Sequence, residues 1–232
     1  MSAVAQKNVF VGAPDQRTTG AILTGEADRE PPESIGDDVP NSAEASGYVG
    51  EEGVTIAPER STEDIRDWSG SVIRKILTEF DGTVSWEHLE LSIQALKNYF
   101  GEDNVSVTEA TSSSGTQTKS VLNGEELPVK SWYFKMKDGP RRILIFIPRG
   151  QVTEQGEIQF VKTEAVKLPV VLSTYPDEEG NNIYIYTDDG VYSSSDNGGG
   201  TEGSTSTMST ATTASTSASS TRSRGGNSAS SS

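Results

Sequence analysis

The sequence contains no cysteine and only one histidine, His88, in its 232 residues. Without cysteine the chain can form neither a disulfide nor a thiolate metal site, and thiol catalysis is excluded. A lone histidine has no partner for a His-based dyad or metal site, and we predict that His88 is an exposed or capping residue in a first helical turn. Phosphate-binding glycine motifs and a nucleophile elbow are also missing. The residues therefore indicate no catalytic, cofactor or metal site.

Long hydrophobic runs are missing too. The start, MSAVAQKNVFVG, has no basic region followed by an apolar stretch, so no secretory signal is expected. No segment is long and apolar enough to cross a bilayer. We therefore expect synthesis in a cytoplasm and no membrane partner.

Basic residues are scarce, because 19 Lys and Arg stand against 34 Asp and Glu, for a formal net charge of −15. Affinity for nucleic acid comes largely from Lys and Arg that displace counterions from phosphates, so the chain is not expected to bind DNA tightly. Several carboxylates occur in adjacent pairs, such as Glu63 and Asp64. Adjacent residues on a strand point to opposite faces, so we interpret these pairs as solvated surface rather than catalytic dyads.

The composition divides the chain into three parts. Residues 193–232 are rich in Ser, Thr and Gly and contain only Met208 as a large apolar side chain. Such a segment cannot bury enough surface to offset its ordering entropy, and we predict that it is disordered. Residues 1–46 are predicted to form an N-terminal arm or hairpin with a Pro-rich loop, which orders only on assembly. Residues 47–192 are predicted to form one β-domain.

Most of residues 47–192 show the patterns of β-strands. The predicted strands lie near residues 54–56, 72–80, 105–109, 131–137, 142–147, 157–161, 168–175 and 183–187. The charged segment PERSTEDIRDWSG is interpreted as a connection. Asp138-Gly139 predicts a tight hairpin and YPDEEGNN a longer one, with calcium binding by the latter as a less favoured alternative.

One segment, SWEHLELSIQALKNYFG, has a helical period instead. Its apolar positions predict a helix of about 86–100 that packs through Leu89, Ile93, Leu96 and Phe100. Ser85 is expected to cap its start and Gly101 to end it. The predicted fold class is therefore mainly β (α+β): an antiparallel β-sandwich or barrel with one flanking helix.

The three tryptophans, Trp68, Trp86 and Trp132, are spread along the chain rather than spaced as a stacking platform. We interpret them as anchors of the core or of a subunit interface.

Two stretches carry a further signal: GYVGEEGVTIAPERSTEDIRDWSGSVIRKILTEFDGTVSWEHLE and GEIQFVKTEAVKLPVVLSTYPDEEGNNIYIYTDDG. Together they resemble the major tail proteins, or tail tube proteins, of long-tailed, non-contractile bacteriophages, particularly those that infect mycobacteria and related actinobacteria. The resemblance covers about residues 47–189. The Pro-rich insertion around residues 30–46 and the Ser/Thr-rich tail depart from the family pattern and leave the exterior decoration open.

The resemblance implies a tail tube fold: a β-sandwich with one flanking helix, hexameric rings, and rings stacked into a tube whose inner sheets merge around a lumen. It implies a structural, non-enzymatic subunit of the virion tail through which DNA passes without specific binding. The implied partners are other copies of the chain and the tape-measure, tail terminator and baseplate or tip proteins.

An acidic lumen would repel DNA, whereas a basic lumen would retain it. Carboxylates on or between the strands that the resemblance assigns to the inner sheet are expected to line the lumen: Glu52, Glu59, Glu63, Asp64, Asp67 and Glu79. Basic residues clustered at the Asp138-Gly139 hairpin are expected to contact a neighbouring subunit: Lys135, Lys137, Arg141 and Arg142.

A second hypothesis is a monomeric surface- or carbohydrate-binding β-sandwich with a Ser/Thr-rich linker. Such a module would more often show a signal peptide or an aromatic-lined cleft, and neither is visible in the sequence. Hollow tubes or rings in electron micrographs would favour the first hypothesis, and dispersed monomers at high concentration the second.

Overall fold

The structure, a computed structural model, describes residues 9–15, 20–36, 39 and 42–192. By its internal contacts the chain divides into two units, Met1–Tyr192 and Ser193–Ser232. The predicted disorder of residues 193–232 concerns residues that lie outside the described part. The first unit contains β1 (Ile22–Glu26), β2 (Glu44–Ala45), β3 (Thr55–Arg66), β4 (Val72–His88), α1 (Ile93–Phe100), β5 (Val105–Thr108), β6 (Gln117–Ser120), β7 (Lys130–Asp138), β8 (Arg141–Gln155), β9 (Leu168–Tyr175) and β10 (Tyr184–Asp188).

Eight of these strands form one antiparallel sheet in the order β2-β1-β7-β8-β9-β4-β3, with β10 paired to β8. The path is open within the described residues, since it ends at β2 and β3 rather than closing into a barrel. A separate small hairpin joins β5 to β6. The predicted fold class, mainly antiparallel β with one flanking helix, is confirmed.

The sheet folds over on itself around one hydrophobic core. One half contributes Ile22, Trp132 and Phe134 to this core, and the other half contributes Trp86 and Leu172. The ring centroid of Trp86 lies 5.2 Å from that of Trp132 and 5.2 Å from that of Phe134, so the two halves meet through aromatic side chains. The interpretation of Trp86 and Trp132 as core anchors is confirmed, because only 3% and 1% of their surfaces are exposed.

Strands β9 and β10 run along the same side of β8 and do not pair with each other. Tyr175, the last residue of β9, lies opposite Arg149, and Tyr184, the first residue of β10, lies opposite Phe146. The intervening segment therefore interrupts one line of strand instead of joining two neighbouring strands, and the predicted longer hairpin is wrong. The Asp138-Gly139 hairpin is confirmed, with Asp138 opposite Arg141.

The helix is shorter than predicted. It begins after Ser92, whose side chain accepts a hydrogen bond from the Ala95 amide, so Ser92 rather than Ser85 is the N-cap. Gly101 ends it as predicted, with a φ of 96° that favours glycine. Its buried face includes Leu96 and Tyr99, whereas Ile93 is 40% exposed.

The prediction that His88 is an exposed or capping residue in a first helical turn is wrong. It is fully buried at the end of β4, where burial alternates with a period of two residues through Val84, Trp86 and His88. Pairing with β9 holds this stretch as strand, because His88 lies opposite Leu168. The tertiary contact overrides the helical period of the sequence.

Two further predictions about strands need correction. The segment interpreted as a charged connection, residues 58–70, forms most of β3 and part of the turn that follows it. Residues 157–161 form no strand, and Phe160 is 79% exposed.

The Pro-rich segment covers the other face of part of the sheet. Ile35 and Val39 pack there against a second cluster that includes Leu23, Tyr133 and Phe146. The apolar run 21–23 that precedes this segment is buried within β1, which pairs with β7. These residues of the predicted arm are therefore packed within a single chain and are ordered without assembly. The three-part division of the chain stays a prediction.

Candidate assembly site

The most distinctive surface is the non-core face of β3, β4, β9 and the C-terminal half of β8, which we call the polar face. Opposite pairs such as Glu59 with Asp81 and Thr83 with Ser173 lie on this face, because directly paired residues share a face and Gly82 and Thr174 point into the core. Its carboxylates are Glu59, Glu63, Glu79, Asp81, Glu87 and Glu154. Its hydroxyls are those of Thr55, Ser61, Thr83, Ser85, Thr153, Ser173 and Tyr175.

Positive charge on the polar face is confined to Arg74 in the outer part of β4 and to the margins of the face. Lys167 is ion-paired with Glu87 at 2.9 Å, and Arg149 with Asp28 at 3.1 Å. The Glu87 carboxylate, through its hydrogen bond to Lys167 above all, holds the pKa of that lysine above its ordinary value. Between these pairs, the hydroxyls of Thr153 and Ser173 lie 2.8 Å apart, and the Tyr175 hydroxyl donates a hydrogen bond to Oε1 of Gln151 at 2.7 Å. The polar face is thus acidic and well hydrogen-bonded.

Beyond the part of the sheet that packs on the core, β3 and β4 continue as a two-stranded hairpin that is exposed on both faces. We call it the projecting hairpin. From Arg60 to Arg66 on β3 and from Val72 to Glu79 on β4 nearly every residue is exposed. Pro58 is tolerated because β3 is an edge strand. Since an isolated two-stranded hairpin is marginally stable in water, this projection is typical of a segment that another chain covers.

The two faces of the projecting hairpin carry opposite charge. The continuation of the polar face contains Glu59, Glu63, Glu79 and Asp81 against Arg74. The opposite face contains Arg60, Arg66 and Lys75 against Asp64. Asp64 is ion-paired with Lys75 at 2.8 Å and with Arg66 at 3.1 Å, and the Arg60 guanidinium lies over the Phe80 ring.

The tip of the hairpin is a turn organised by Asp67. Its carboxylate oxygen Oδ1 accepts hydrogen bonds from the Ser69 hydroxyl at 2.6 Å and from the Ser71 amide at 2.8 Å. The Ser69 hydroxyl bond, and next the Ser71 amide bond, hold the pKa of Asp67 below its ordinary value. Trp68 projects from this turn and is fully exposed.

The structure separates the six carboxylates predicted to line a lumen. Glu59, Glu63 and Glu79 lie on the polar face, and Asp64 lies on the opposite face of the hairpin. Glu52 and Asp67 lie in the turns at the two ends of β3. Sequence reasoning missed Asp81 and Glu154, because only the strand register shows which residues lie opposite Glu59 and Val171.

The four basic residues predicted to contact a subunit do lie near each other, at the β7–β8 hairpin. Arg141 donates a hydrogen bond to the Val9 carbonyl at 2.6 Å and lies over the Phe10 ring. Arg142 is ion-paired with Asp188 at 2.9 Å. Lys135 and Lys137 are half-buried on β7. The two arginines are therefore already engaged within the chain.

The described residues contain no cluster of three or more His, Cys, Asp or Glu side chains that could hold a metal ion. In the YPDEEGNN segment Asp177 bonds instead to the amides of Glu179 and Asn181 and to the Tyr184 hydroxyl. Among the same residues, no helix is long and apolar enough to span a membrane.

A row of aromatic rings crosses the outer face of the sheet, from Tyr133 through Phe146 and Tyr184 to Tyr186. Tyr133 and Phe146 are buried beneath the Pro-rich segment, so this row is part of a second core and not a sugar-binding platform. The hypothesis of a carbohydrate-binding module gains no support from it.

A folded-over antiparallel sheet with an acidic outer face and a long projecting hairpin defines the chain as a mainly β protein. A family model described as phage tail tube protein matches residues 15–196. The chain belongs to the phage tail tube protein family, as the resemblance of its sequence predicted.

Two solved structures are similar to the chain. One is the cryo-EM structure of the anti-feeding prophage cap, a tube terminating cap, with 11% identity over 81% of this chain and 97% of that chain and a TM-score of 0.41. The other is the sheath-tube complex, in its extended state, of an extracellular contractile injection system, with 8% identity over 81% of this chain and all of that chain and a TM-score of 0.36. No curated protein matches the chain.

Proposed function

We propose that the chain is a non-enzymatic subunit of a bacteriophage tail tube, in which hexameric rings stack around a lumen that conducts DNA during genome ejection. The observation that carries the proposal is the polar face, which presents six carboxylates on one side of the sheet and of the hairpin that continues it. Family membership supplies the tube. The tape-measure, terminator and baseplate or tip proteins are the expected partners in the virion, after assembly in the host cytoplasm.

The acidic polar face suits a DNA-conducting wall. DNA carries one negative charge for about every 1.7 Å of helix axis, so a wall of carboxylates repels it and prevents it from adhering. The hydroxyls keep the wall hydrated without adding positive charge. The free edge of β3 supplies unpaired backbone groups that a neighbouring copy can cover when a ring closes.

The experiment that tests this function is electron microscopy of the purified full chain over a range of concentrations. Hollow tubes or six-fold rings are expected. A protein that remains monomeric at high concentration, in the presence of the virion's other tail proteins as well, would overturn the proposal.

Reversal of charge on the polar face is expected to slow genome ejection while tubes still form. The double change Glu59→Lys with Asp81→Lys places two cations opposite each other in every subunit, where they attract passing phosphate. Ejection rates from virions should fall most at low salt, because the Debye length shortens to about 8 Å at physiological ionic strength.

The matched control for this change is Glu109→Lys with Glu126→Lys, which makes the same change of net charge at exposed residues away from the polar face. Equal ejection rates for the two double variants would show that the polar face does not line the lumen.

We further propose that residues 193–232 lie outside the assembling unit, since the family model ends at residue 196. A chain truncated after Tyr192 should form rings and tubes as the full chain does, with changes confined to solubility or adhesion. A truncated chain that folds but forms no tubes, as judged by micrographs, would contradict this. For the basic hairpin, we propose that Lys135 and Lys137 make the subunit contact, because the two arginines are engaged within the chain.

A further inference from the structure

The tip of the projecting hairpin has the properties of an interface anchor. Trp68 is fully exposed in the single chain, although tryptophan is the residue whose burial contributes most to many protein interfaces. The turn that carries it is held by the Asp67 hydrogen bonds and by the Arg66 guanidinium, which donates to the Gly70 carbonyl at 3.1 Å. A turn that is already ordered loses little conformational entropy when its anchor is bound.

A pocket lies near the opposite end of the same hairpin. It has a volume of about 180 Å³ and opens between the N-terminal segment, β7 and the turn that precedes β3. Its apolar lining residues are Pro14, Ala21, Val49, Val54, Phe134 and Met136. An engineered protein cavity of about 150 Å³ accommodates benzene, so a pocket of this size can take the six-membered ring of an indole. Glu51 also lines the pocket and is exposed, which gives the indole N–H an acceptor.

We propose that Trp68 of one copy inserts into this pocket of a second copy in the next ring of the tube. The inference rests on the proposed tube function and names the contact between rings. Tip and pocket are different surfaces, so their contact is head-to-tail. Such a contact repeats as an open stack when the rotation between successive copies does not close it into a ring, as a growing tube requires. The 12 residues of β3 separate the two by roughly 36 Å, at about 3.3 Å for each residue step.

Charge favours the same pairing. The tip region between residues 64 and 75 carries the cations Arg66, Arg74 and Lys75 against two carboxylates. The pocket and the turn beside it carry four carboxylates against one lining cation, Lys135: Glu51 and Glu52 lie within the turn, and the side chains of Glu87 and Glu90 lie against Gly50 and Gly47. The tip of one copy therefore meets a surface of opposite sign on the next.

The first test replaces the anchor. Trp68→Ala should raise the protein concentration needed for tube formation roughly 30-fold or more, which is the loss expected for an interface hot spot. Phe160→Ala removes another exposed aromatic ring, far along the chain from the hairpin, and should leave tube formation unchanged. Tubes of normal length from Trp68→Ala at the wild-type concentration would overturn the inference, while tubes from the wild type would leave the proposed function standing.

The second test uses the direction of the contact. Val54→Phe fills the pocket but keeps the tip, whereas Trp68→Ala removes the tip but keeps the pocket. At the wild-type concentration neither variant should form tubes alone. When rings of one variant are mixed with rings of the other, they should form stacks of two rings and nothing longer, because each such stack ends in a defective surface on both sides. Long tubes from either variant, or no stacking in the mixture, would overturn the inference.

A third variant, which does not alter the core, tests the inference even if Val54→Phe does not fold. Glu51→Lys reverses the charge of an exposed residue at the pocket and should weaken stacking in the same way, with recovery when it is combined with Arg74→Glu, which leaves the bonds of the tip turn intact. Absence of any effect from Glu51→Lys, in a protein whose thermal unfolding matches the wild type, would count against the inference.

Discussion

Replacement of Trp132 by alanine is expected to lower the free energy of unfolding by about 3–5 kcal/mol, the range for large aromatic residues in protein cores. Trp132 is buried against Trp86, and its indole N–H donates a hydrogen bond to the Gly150 carbonyl at 3.1 Å. Its ring also fills the space that glycine leaves, because a Cβ atom at Gly150 would lie only 2.9 Å from the Trp132 ring. The change therefore removes packing, a hydrogen bond and the link between the two halves of the sheet. Chemical denaturation of the unassembled chain measures the loss.

Trp68→Ala is the matched control, because it makes the same substitution at a fully exposed position. It should change the free energy of unfolding of the unassembled chain by less than about 0.5 kcal/mol. The two tryptophans would then separate folding from assembly: one variant loses the fold, and the other keeps the fold but loses tubes. Equal destabilisation by both substitutions would show that the hairpin tip packs against its own chain in solution.

Acidification is expected to destabilise the fold through His88. Burial lowers the pKa of His88 from 6.5 to about 4. Trp86 donates its indole N–H to Nε2 of His88 at 3.0 Å, so the neutral ring carries its proton on Nδ1, and Nδ1 has no hydrogen-bond partner in the structure. The cross-strand residues Val49 and Leu168 are apolar, so their side chains provide no hydrogen-bond acceptor or negative charge to a protonated ring.

The sign follows from proton binding. Between pH 6.5 and 4 the unfolded chain binds a proton at His88 that the folded chain does not, so stability falls as the pH falls through this range. The loss is complete below about pH 4 and amounts to about 3 kcal/mol, at 1.36 kcal/mol for each unit of pKa difference. Above the pKa of 6.5 that His88 has in the unfolded chain, this destabilisation is absent.

The measurement compares the wild type with His88→Gln, whose amide oxygen can still accept from Trp86 but cannot titrate. Carboxylates titrate in both proteins, so the difference between their free energies of unfolding isolates His88. As the pH falls from 7 to 4, the variant should gain about 3 kcal/mol relative to the wild type. A difference that stays constant over this range would place His88 in contact with water.

Much of the β-fold could be predicted from the sequence, and the errors have a common cause. Strands with one buried face show an apolar pattern, and for β9 this pattern predicted the bounds correctly. The hairpin part of β3 could not be recognised, because both of its faces are exposed and no apolar alternation exists to read. Before the helix, in residues 84–88, the sequence fits both the helical period and the strand period of two residues. Only the pairing of β4 with β9 decides in favour of a strand.

The polar face shows a second limit of the sequence. Its carboxylates come from different strands, and their alignment depends on register. Between Ser61 and Thr62 the register with β4 shifts, so that Ser61 lies opposite Glu79 and Thr62 opposite Leu77. Counting residues along β4 without this bulge at Thr78 would assign Ile76 to the wrong face.

The period of two residues in the projecting hairpin also constrains how such a tube could change in evolution. Removing one residue from each strand would exchange the acidic and basic faces beyond the deletion, so that the polar face would continue into the basic one. Removing two from each strand would keep both faces and shorten the hairpin by roughly 7 Å. With the proposed contact between rings, the axial repeat of the tube would therefore change in discrete steps, and related tubes would differ in ring height by whole pleats of a strand.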